Sequence, residues 1–455
     1  MHRASSLRSM RVAGGRRQQR CAPRRHYGPG KGGRLPGKQD KSNLETDRVV
    51  RGDGMVVTSG PFQPSNIRSE FPVLAAIDRD PTDPRIFLDG PGGTQVHGAV
   101  VDAMSDALIN KMSNIGYDYT SSLNCLELVH TARTAGAAFF NCEGCEVVYG
   151  PTMTSLAFQL AGSLTQTLNP GDEVFLSRSE HEGNVSPWLR MAELAGATVR
   201  WIPLDPNTFT LRLDVLERML ASAEGKPRFL ALGAASNATG TIHDVKRAVA
   251  LAKAAGVDYT VVDAVHYAPH QMIDVQKWGC DFCLTSAYKW FGPHQSMMYG
   301  RKELLATLPT TKVRPATDEL PTLESYELSR WEMGTLPFET IAGQLAAVEY
   351  IASLGTRFGG CELGAETRTA LGAGFDVIAT HEAALAQRFV AGLEGKRAAR
   401  PHHLSRTDSC LQSINCAACS CLLLQSAHRR FLRGTFDRFA LLCCVAMCCT
   451  QRSRV

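Results

Sequence analysis

The chain has 455 residues, of which 44% are hydrophobic and 20% are charged. This composition excludes a disordered or collagen-like chain and suffices for a large core or two domains. The formal net charge is +5, but residues 1–38 carry eleven Lys or Arg and no acid, and residues 396–455 carry ten basic and two acidic residues. The chain between them holds 28 basic and 42 acidic residues. Because this middle part is acidic, we expect no nucleic-acid partner.

The two ends also differ from the middle in residue types. Residues 1–65 are rich in Gly, Pro, Arg and Ser, and we expect a disordered basic leader there. We expect the protein to be cytoplasmic, or organellar (mitochondrion or plastid) if the leader is a transit peptide. Eight of the fifteen cysteines lie between positions 410 and 449, which marks residues 396–455 as an aberrant Cys- and Arg-rich tail. The longest apolar run has eleven residues, at 439–449, so we expect a soluble protein without a membrane partner.

Two cysteine groups are candidate metal ligands. Cys142 and Cys145 form a C-x-x-C pair, and Cys416, Cys419 and Cys421 lie close together in the tail. Neither group has a second C-x-x-C pair or paired histidines at the spacing of a zinc site. The sequence therefore predicts no metal.

Short apolar runs alternate with helical stretches between about residues 70 and 355. Strands are predicted at 145–149, 173–176, 198–202, 229–232, 259–262 and 282–285, and helices at 213–220, 245–255 and 341–351. This alternation indicates βαβ units and a mostly parallel sheet with helices on both faces. Ligands of such sheets bind beyond the carboxyl ends of the strands, so polar residues that follow an apolar run are candidate site residues.

An acid and a lysine follow two of these runs. Asp263 comes directly after the run at 259–262, and Lys289 follows the run at 282–285. Each has an ordinary alternative, Asp263 as a helix cap and Lys289 as a solvated surface amine. Lysine is an unusual choice between Tyr288 and Trp290, however. Desolvation there would lower the pKa of the amine and favour the neutral nucleophile that Schiff-base chemistry needs.

Two other runs lead to an anion site and an imidazole. The first strand is followed by Gly150, Pro151 and hydroxyl residues at the start of a helical stretch, where free N–H groups favour an anion. The alternative is simple N-capping by Thr154 or Ser155. His181 follows the second run, although a lone histidine at such a position is more often a surface residue. An anion cradle, an acid, a flat imidazole and a buried lysine together match the needs of pyridoxal phosphate.

Seven motifs in this order resemble the class V aminotransferase family, and more closely its cysteine-desulfurase-like branch. They lie at residues 87–96, 150–155, 180–188, 235–241, 263–270, 286–289 and 331–335. The resemblance implies the pyridoxal-phosphate-dependent transferase fold (aspartate aminotransferase-like, fold type I), with a mostly parallel seven-stranded sheet in its large domain. We expect the leader at 1–65, the large domain at 66–355, the start of a small domain at 356–395 and the tail at 396–455. Because the α/β pattern stops near residue 396, the small domain is expected to be incomplete or aberrant.

The resemblance also implies roles for matched residues. Lys289 would form the Schiff base with pyridoxal 5'-phosphate and move the substrate α-proton, Asp263 would pair with the pyridinium nitrogen, and His181 would stack on the ring. Thr335 would reach the phosphate in the neighbouring subunit, which implies a homodimer with shared active sites. The other implied cofactor contacts are Met153, Thr154, Asn237, His266, Ser286 and Tyr288.

The implied function is a pyridoxal-phosphate-dependent enzyme acting on a small amino acid, with cysteine-desulfurase-like lyase chemistry as the leading hypothesis. An aminotransferase or an amino-acid epimerase of the same family is the alternative, because all these reactions start from the same α-carbanion. A catalytically incompetent cofactor-binding protein is an alternative of another class. This alternative arises because no cysteine or arginine of the tail matches the family's sulfur-accepting or carboxylate-binding position.

Overall fold

The computed structural model of the chain describes residues 48–50, 56–58, 61–322 and 329–397. The predictions for the basic leader, the transit peptide and the Cys-rich tail therefore fall almost entirely outside the described residues. No helix among the described residues is both long and apolar enough to span a membrane.

A seven-stranded sheet lies at the centre of the described chain. Strands β1 (Arg48–Val50) and β2 (Val56–Thr58) pair separately as an antiparallel ribbon. The large sheet has the order β3-β9-β8-β7-β6-β4-β5, and only β9 runs antiparallel to its neighbours. Its strands are β3 (Val147–Gly150), β4 (Glu173–Ser177), β5 (Thr198–Ile202), β6 (Pro227–Gly233), β7 (Tyr259–Asp263), β8 (Phe282–Ser286) and β9 (Ser296–Gly300). The predicted mostly parallel seven-stranded sheet is thus confirmed.

Helices cover both faces of this sheet. They are α1 (Pro72–Arg79), α2 (Gly98–Asn110), α3 (Thr120–Phe140), α4 (Met153–Thr165), α5 (Ser186–Ala195), α6 (Leu213–Ala221), α7 (Val245–Ala254), α8 (Val275–Trp278), α9 (Lys302–Thr307), α10 (Phe338–Phe358) and α11 (Thr367–Arg397). Successive residues of a strand point to opposite faces of the sheet and pack in different hydrophobic cores. Leu230 and Leu232 pack in the core that contains α3, α7 and α10, whereas Phe229 and Ala231 pack in the core that contains α4 and α5. Because both faces of the sheet are buried, the strand sequences are almost entirely apolar.

The element boundaries differ from the predicted ones for local reasons. Strand β3 begins two residues later than predicted, because a 3-10 turn at Gly144–Glu146 with a capping box occupies its expected start. Strand β9 was not predicted, since its sequence Ser-Met-Met-Tyr-Gly contains no β-branched residue. Helix α10 is ten residues longer than the predicted stretch at 341–351.

Helix α11 packs directly on α10. A Cβ atom on Gly355 would lie 2.2 Å from the carbonyl oxygen of Ala370, and one on Gly374 would lie 2.1 Å from that of Ile351. Both helices therefore need glycine at their closest approach. Glu382 of α11 contacts Nδ1 of His270 at 2.9 Å, and both side chains are buried. These contacts fix α11 beside the loop that follows β7.

A buried ion pair fixes the segment that carries the motif at 331–335. The Arg133 guanidinium on α3 contacts the Glu332 carboxylate, and their side chains are 6% and 3% exposed. The second carboxylate oxygen of Glu332 accepts the Ser329 N–H at 2.8 Å. Trp331 donates its indole N–H to the Leu305 carbonyl at 2.8 Å, so the segment is held from two sides.

We predict that Glu332→Gln lowers the free energy of unfolding by about 3 kcal/mol, because it leaves the Arg133 charge buried without its counter-ion. Urea unfolding of the cofactor-free protein measures this change. The matched control is Glu193→Gln. Glu193 pairs with Arg190 at the surface, where the two side chains are 70% and 57% exposed. The loss of this pair should lower the free energy of unfolding by less than about 1 kcal/mol. Equal losses in the two variants would mean that the buried pair stabilises the fold no more than the exposed one, contrary to this prediction.

Candidate active site

The register of three parallel strands sets the position of Asp263. Asp263, the last residue of β7, lies opposite Gly233 of β6 on one side and Leu284 of β8 on the other. Strand β8 ends two residues later at Ser286, and a 3-10 turn at Ala287–Lys289 follows at once. The predicted acid and the predicted lysine therefore meet at one edge of the sheet.

The Lys289 side chain is 6% exposed, so the alternative of a solvated surface amine is wrong. Its Nζ donates a hydrogen bond to the carbonyl oxygen of Pro91 and lies 4.6 Å from the ring centroid of Tyr288. Burial lowers the pKa of Lys289, while the negative charges of Asp89 and Asp263 oppose this shift. The amine is thus biased toward its neutral form, as the aromatic neighbours suggested.

Packing and hydrogen bonds hold the turn that carries Lys289. Thr94 donates its N–H to the Tyr288 carbonyl at 2.9 Å and accepts the Phe291 N–H on its hydroxyl at 2.8 Å. Trp290 is buried, stacks on Phe139 with ring centroids 4.8 Å apart, and donates its indole N–H to a β8 hydroxyl. An open cavity of about 390 Å³ lies along residues 86–95, the segment whose Pro91 carbonyl accepts from the lysine.

Asp263 is a buried carboxyl in electrostatic contact with three neighbours. Burial raises its pKa to about 6, and the charges of His181 and Lys289 work against this rise. Its Oδ1 accepts the Val265 N–H at 2.9 Å in a local turn. Burial also lowers the pKa of His266 to about 3, so that this imidazole is neutral. The structure thus brings Asp263, Lys289, His181 and His266 into one group.

The start of α4 lies beside the turn that carries His181. Thr152 caps α4 by accepting the Ser155 N–H at 2.9 Å, so capping by Thr154 or Ser155 is wrong. A Cβ atom on Gly183 would lie 2.6 Å from the Thr154 hydroxyl and 3.1 Å from Nδ1 of His181. The absence of a side chain at Gly183 therefore lets the His181 turn pack closely against the Thr154 hydroxyl at the start of α4.

The remaining predicted residues lie at different depths. Ser286 is buried, and its hydroxyl contacts that of Ser296 at 2.7 Å. Met153 is buried, Asn237 is half-buried, and Thr335 and His181 are exposed. Tyr288 stacks on His294 with ring centroids 4.9 Å apart. Within the described residues, no hydrogen bond or ion pair links Thr335 or Asn237 to Lys289 or Asp263.

One half-buried residue of the site, Glu180, lies in the motif at 180–188 but was not predicted as a site residue. Its carboxylate accepts the Gly233 N–H at 2.8 Å and the Asn184 side-chain amide at 2.6 Å, and it also contacts the Ser177 hydroxyl. Burial raises the pKa of Glu180 to about 7, with a further contribution from the negative charge of Asp263. Its position three residues after the end of β4 and directly before His181 was the available sequence signal.

Known proteins are similar to this chain in sequence and in fold. An aminotransferase-like protein of Gibberella zeae is 35% identical over 257 residues, which are 55% of this chain and 61% of that protein. The match thus spans less than two thirds of that relative. A cysteine desulfurase of Pectobacterium atrosepticum is 30% identical over 298 residues, which are 64% of this chain and 72% of that protein.

Two solved structures extend the comparison. A cysteine desulfurase (S-sulfonic acid) from Escherichia coli has a TM-score of 0.58 at 25% identity, covering 74% of this chain and 78% of its own. The apo cysteine desulfurase from Thermococcus onnurineus has a TM-score of 0.61 at 23% identity with the same coverage, and shows the shared fold. The expected fold type I is confirmed. The family model described as aminotransferase class-V matches residues 86–359, more than half of the sequence, and the chain belongs to this family.

Proposed function

We propose that this chain is a pyridoxal-phosphate-dependent enzyme with cysteine-desulfurase-like activity and that Lys289 is its Schiff-base lysine. The observation that carries the proposal is the pairing of a buried amine of lowered pKa with a buried carboxyl at the ends of adjacent strands. Two of the similar proteins, from Pectobacterium atrosepticum and Escherichia coli, are named cysteine desulfurases and are 30% and 25% identical to this chain. Their names support cysteine as the substrate.

The side chains at this sheet edge fit the cofactor. Gly183 lets the His181 turn approach the Thr154 hydroxyl at the start of α4, where the first N–H groups of the helix favour a phosphate. Met153, Thr154 and Ser286 would hold that phosphate, and Asn237, His266 and Tyr288 would surround the ring. When bound, pyridoxal phosphate supplies an aldehyde and an electron-withdrawing ring that stabilises negative charge on the substrate α-carbon.

The protein's own groups then have distinct tasks. Lys289, biased toward its neutral form by burial, provides the nucleophilic amine and afterwards accepts the substrate α-proton on Nζ. Asp263 keeps a proton on the ring nitrogen, because a buried carboxylate next to that nitrogen stabilises the cationic form. His181 covers the ring face from the turn after β4. His266 is neutral and offers a ring nitrogen without adding a positive charge.

Desulfuration of cysteine breaks its C–S bond, leaves alanine and passes the sulfur to a thiol. Burial raises the pKa of the Cys145 thiol to about 11 and raises that of Cys142 further, so neither is a ready acceptor. A dithiol supplied in solution can take this role. It accepts the sulfur atom, is oxidised to a disulfide, and releases the sulfur as sulfide.

We further propose that the enzyme is a homodimer in which Thr335 reaches the phosphate of the neighbouring subunit. Thr335 is exposed, at the end of a segment that is fixed by the buried Glu332. A cluster of exposed apolar side chains on α2 and the following loop supports an interface between copies, because such clusters mark contact surfaces. Its members are Val101, Leu108, Ile109, Met112, Tyr117 and Tyr119. The mass in solution, one chain or two, decides this point.

We predict that the protein loaded with pyridoxal phosphate releases equal amounts of alanine and sulfide from cysteine in the presence of a dithiol. Lys289→Ala should lower this rate by at least about a thousandfold, because the residue supplies both nucleophile and base. Lys302→Ala, which removes an exposed amine paired with Glu143, is the matched control and should retain the rate. Alanine and sulfide are measured separately.

The products separate the alternatives. Pyruvate with sulfide would indicate β-elimination, conversion of the cofactor to its amine form would indicate transamination, and loss of optical activity would indicate epimerisation. A Lys289-dependent visible absorption band without any of these products would indicate a cofactor-binding protein without turnover. Each of these outcomes would contradict the proposed desulfurase-like activity.

Asp263→Asn should flatten the pH dependence of stability in the cofactor-free protein. The pKa of Asp263 rises from 3.8 to about 6 on burial, so the folded state binds this proton more tightly than the unfolded chain. The resulting stability is full below about pH 4 and is lost as the pH rises through about 6, on the order of 3 kcal/mol. Urea unfolding across this range measures the slope. The exposed variant Glu217→Gln should keep the wild-type slope, and an unchanged slope in Asp263→Asn would refute the assignment.

A further inference from the structure

Glu180 carries a half-buried carboxyl group that the proposed chemistry does not use. It follows β4, and its two oxygens take hydrogen bonds from three different parts of the chain. Gly233 at the end of β6 reaches Oε1, and Asn184 beyond His181 reaches Oε2. A Cβ atom on Gly233 would lie 3.1 Å from Oε2, so this close approach favours glycine.

The donors around Glu180 have fixed directions. The indole of Trp188 can only donate, and it donates to Oδ1 of Asn184 at 2.9 Å. This contact orients the Asn184 amide so that its Nδ2 donates to Oε2 of Glu180 at 2.6 Å. The Gly233 N–H can likewise only donate, to Oε1 at 2.8 Å. Both carboxylate oxygens must therefore accept.

Ser177 completes the same pattern. Its hydroxyl oxygen accepts the Ser179 N–H at 3.0 Å, which leaves the hydroxyl proton for Oε1 of Glu180. Three donors thus converge on one side chain, and two of them, the Gly233 N–H and the Asn184 amide group, have no lone pair to offer in return. An ionised carboxylate satisfies all three, as buried polar groups require.

These contacts join the His181 turn to the strand pair that carries Asp263. Ser177 and Asn184 lie on either side of His181 in the chain, and Glu180 contacts both. Gly233 lies opposite Asp263 in the β6–β7 register. One carboxylate therefore connects the residue that would cover the ring with the strand end that would hold its nitrogen.

We propose that Glu180 is a positioning residue whose ionised carboxylate clamps the turn at 177–184 to the end of β6 and thereby fixes His181 relative to Asp263. The role toward pyridoxal phosphate rests on the proposed function. The clamp itself does not, because it consists of contacts within this chain.

The directional hydrogen bonds provide a stringent test. In Glu180→Gln, the new amide donor faces the Asn184 donor, which cannot turn without opposing the Trp188 N–H. In Asn184→Asp, two carboxylates face each other. The double variant Glu180→Gln with Asn184→Asp moves the negative charge from position 180 to position 184 and again gives every donor of the network an acceptor. Glu182→Gln is the matched control, because this exposed carboxylate accepts from the Ser186 hydroxyl at 2.6 Å.

Two measurements read the clamp separately from activity. In the cofactor-free protein, amide hydrogen exchange of peptides covering 177–184 and 233 should be at least about tenfold faster in each single variant. It should return to within about threefold of wild type in the double variant and stay unchanged in Glu182→Gln. In the loaded protein, visible circular dichroism per bound cofactor should fall in the single variants and recover in the double variant.

The outcomes distinguish the two proposals. Wild-type protein that cannot bind pyridoxal phosphate would refute the proposed function, while hydrogen exchange would still decide the clamp. Single variants that exchange like wild type, or a double variant as fast as the single ones, would overturn the clamp. Normal circular dichroism in single variants that exchange faster would overturn the positioning of the ring by Glu180.

Discussion

The parallel register of β6, β7 and β8 is the constraint on which the rest of the site depends. It places Gly233, Asp263 and Leu284 side by side, with the lysine-bearing turn only a few residues beyond. Both faces of these strands are covered by helices, and Asp263 and Lys289 at their ends are withdrawn from water. The chemistry of the site follows from this burial.

Burial shifts the charged groups of the site toward neutrality. It lowers the pKa of Lys289 and His266 and raises that of Asp263 and Glu180, and for Glu180 the three hydrogen bonds that it accepts oppose this rise and favour the ionised form. Each shift is the cost of placing a charge where water cannot solvate it. A cationic ring nitrogen near Asp263 would restore the ionised carboxylate, and a neutral amine at Lys289 is the form that attacks an aldehyde. The electrostatics of the protein therefore complement those of the proposed cofactor.

The sequence predicted the features that depend on local pattern. Apolar runs located six strands of the sheet, and the polar residues after two of them identified Asp263 and Lys289. The alternative considered for the start of α4, capping by Thr154 or Ser155, named the wrong hydroxyl, because Thr152, Thr154 and Ser155 are all residue types found at N-caps. Glu180 was missed because its importance comes from Gly233 and Asn184, and the contact with Gly233 spans 53 residues.

Contacts between residues that lie far apart in the sequence could not be predicted from local sequence patterns. Arg133 and Glu332 are separated by 199 residues, and nothing in the composition of either segment identifies them as partners. The same holds for His270 and Glu382, which connect α11 to the loop after β7. Such pairs are set by the tertiary fold, and they hold in place the segments whose local sequence carries the motifs.

The most direct test of the central claim is the site of attachment of the cofactor. The protein is incubated with pyridoxal phosphate, reduced with borohydride, digested and analysed by mass spectrometry. The structure predicts one stoichiometric adduct, on the peptide that contains Lys289, because this amine combines burial with a lowered pKa. Adducts spread over exposed lysines such as Lys302 and Lys277, with Lys289 unmodified, would contradict the assignment of Lys289 as the Schiff-base lysine.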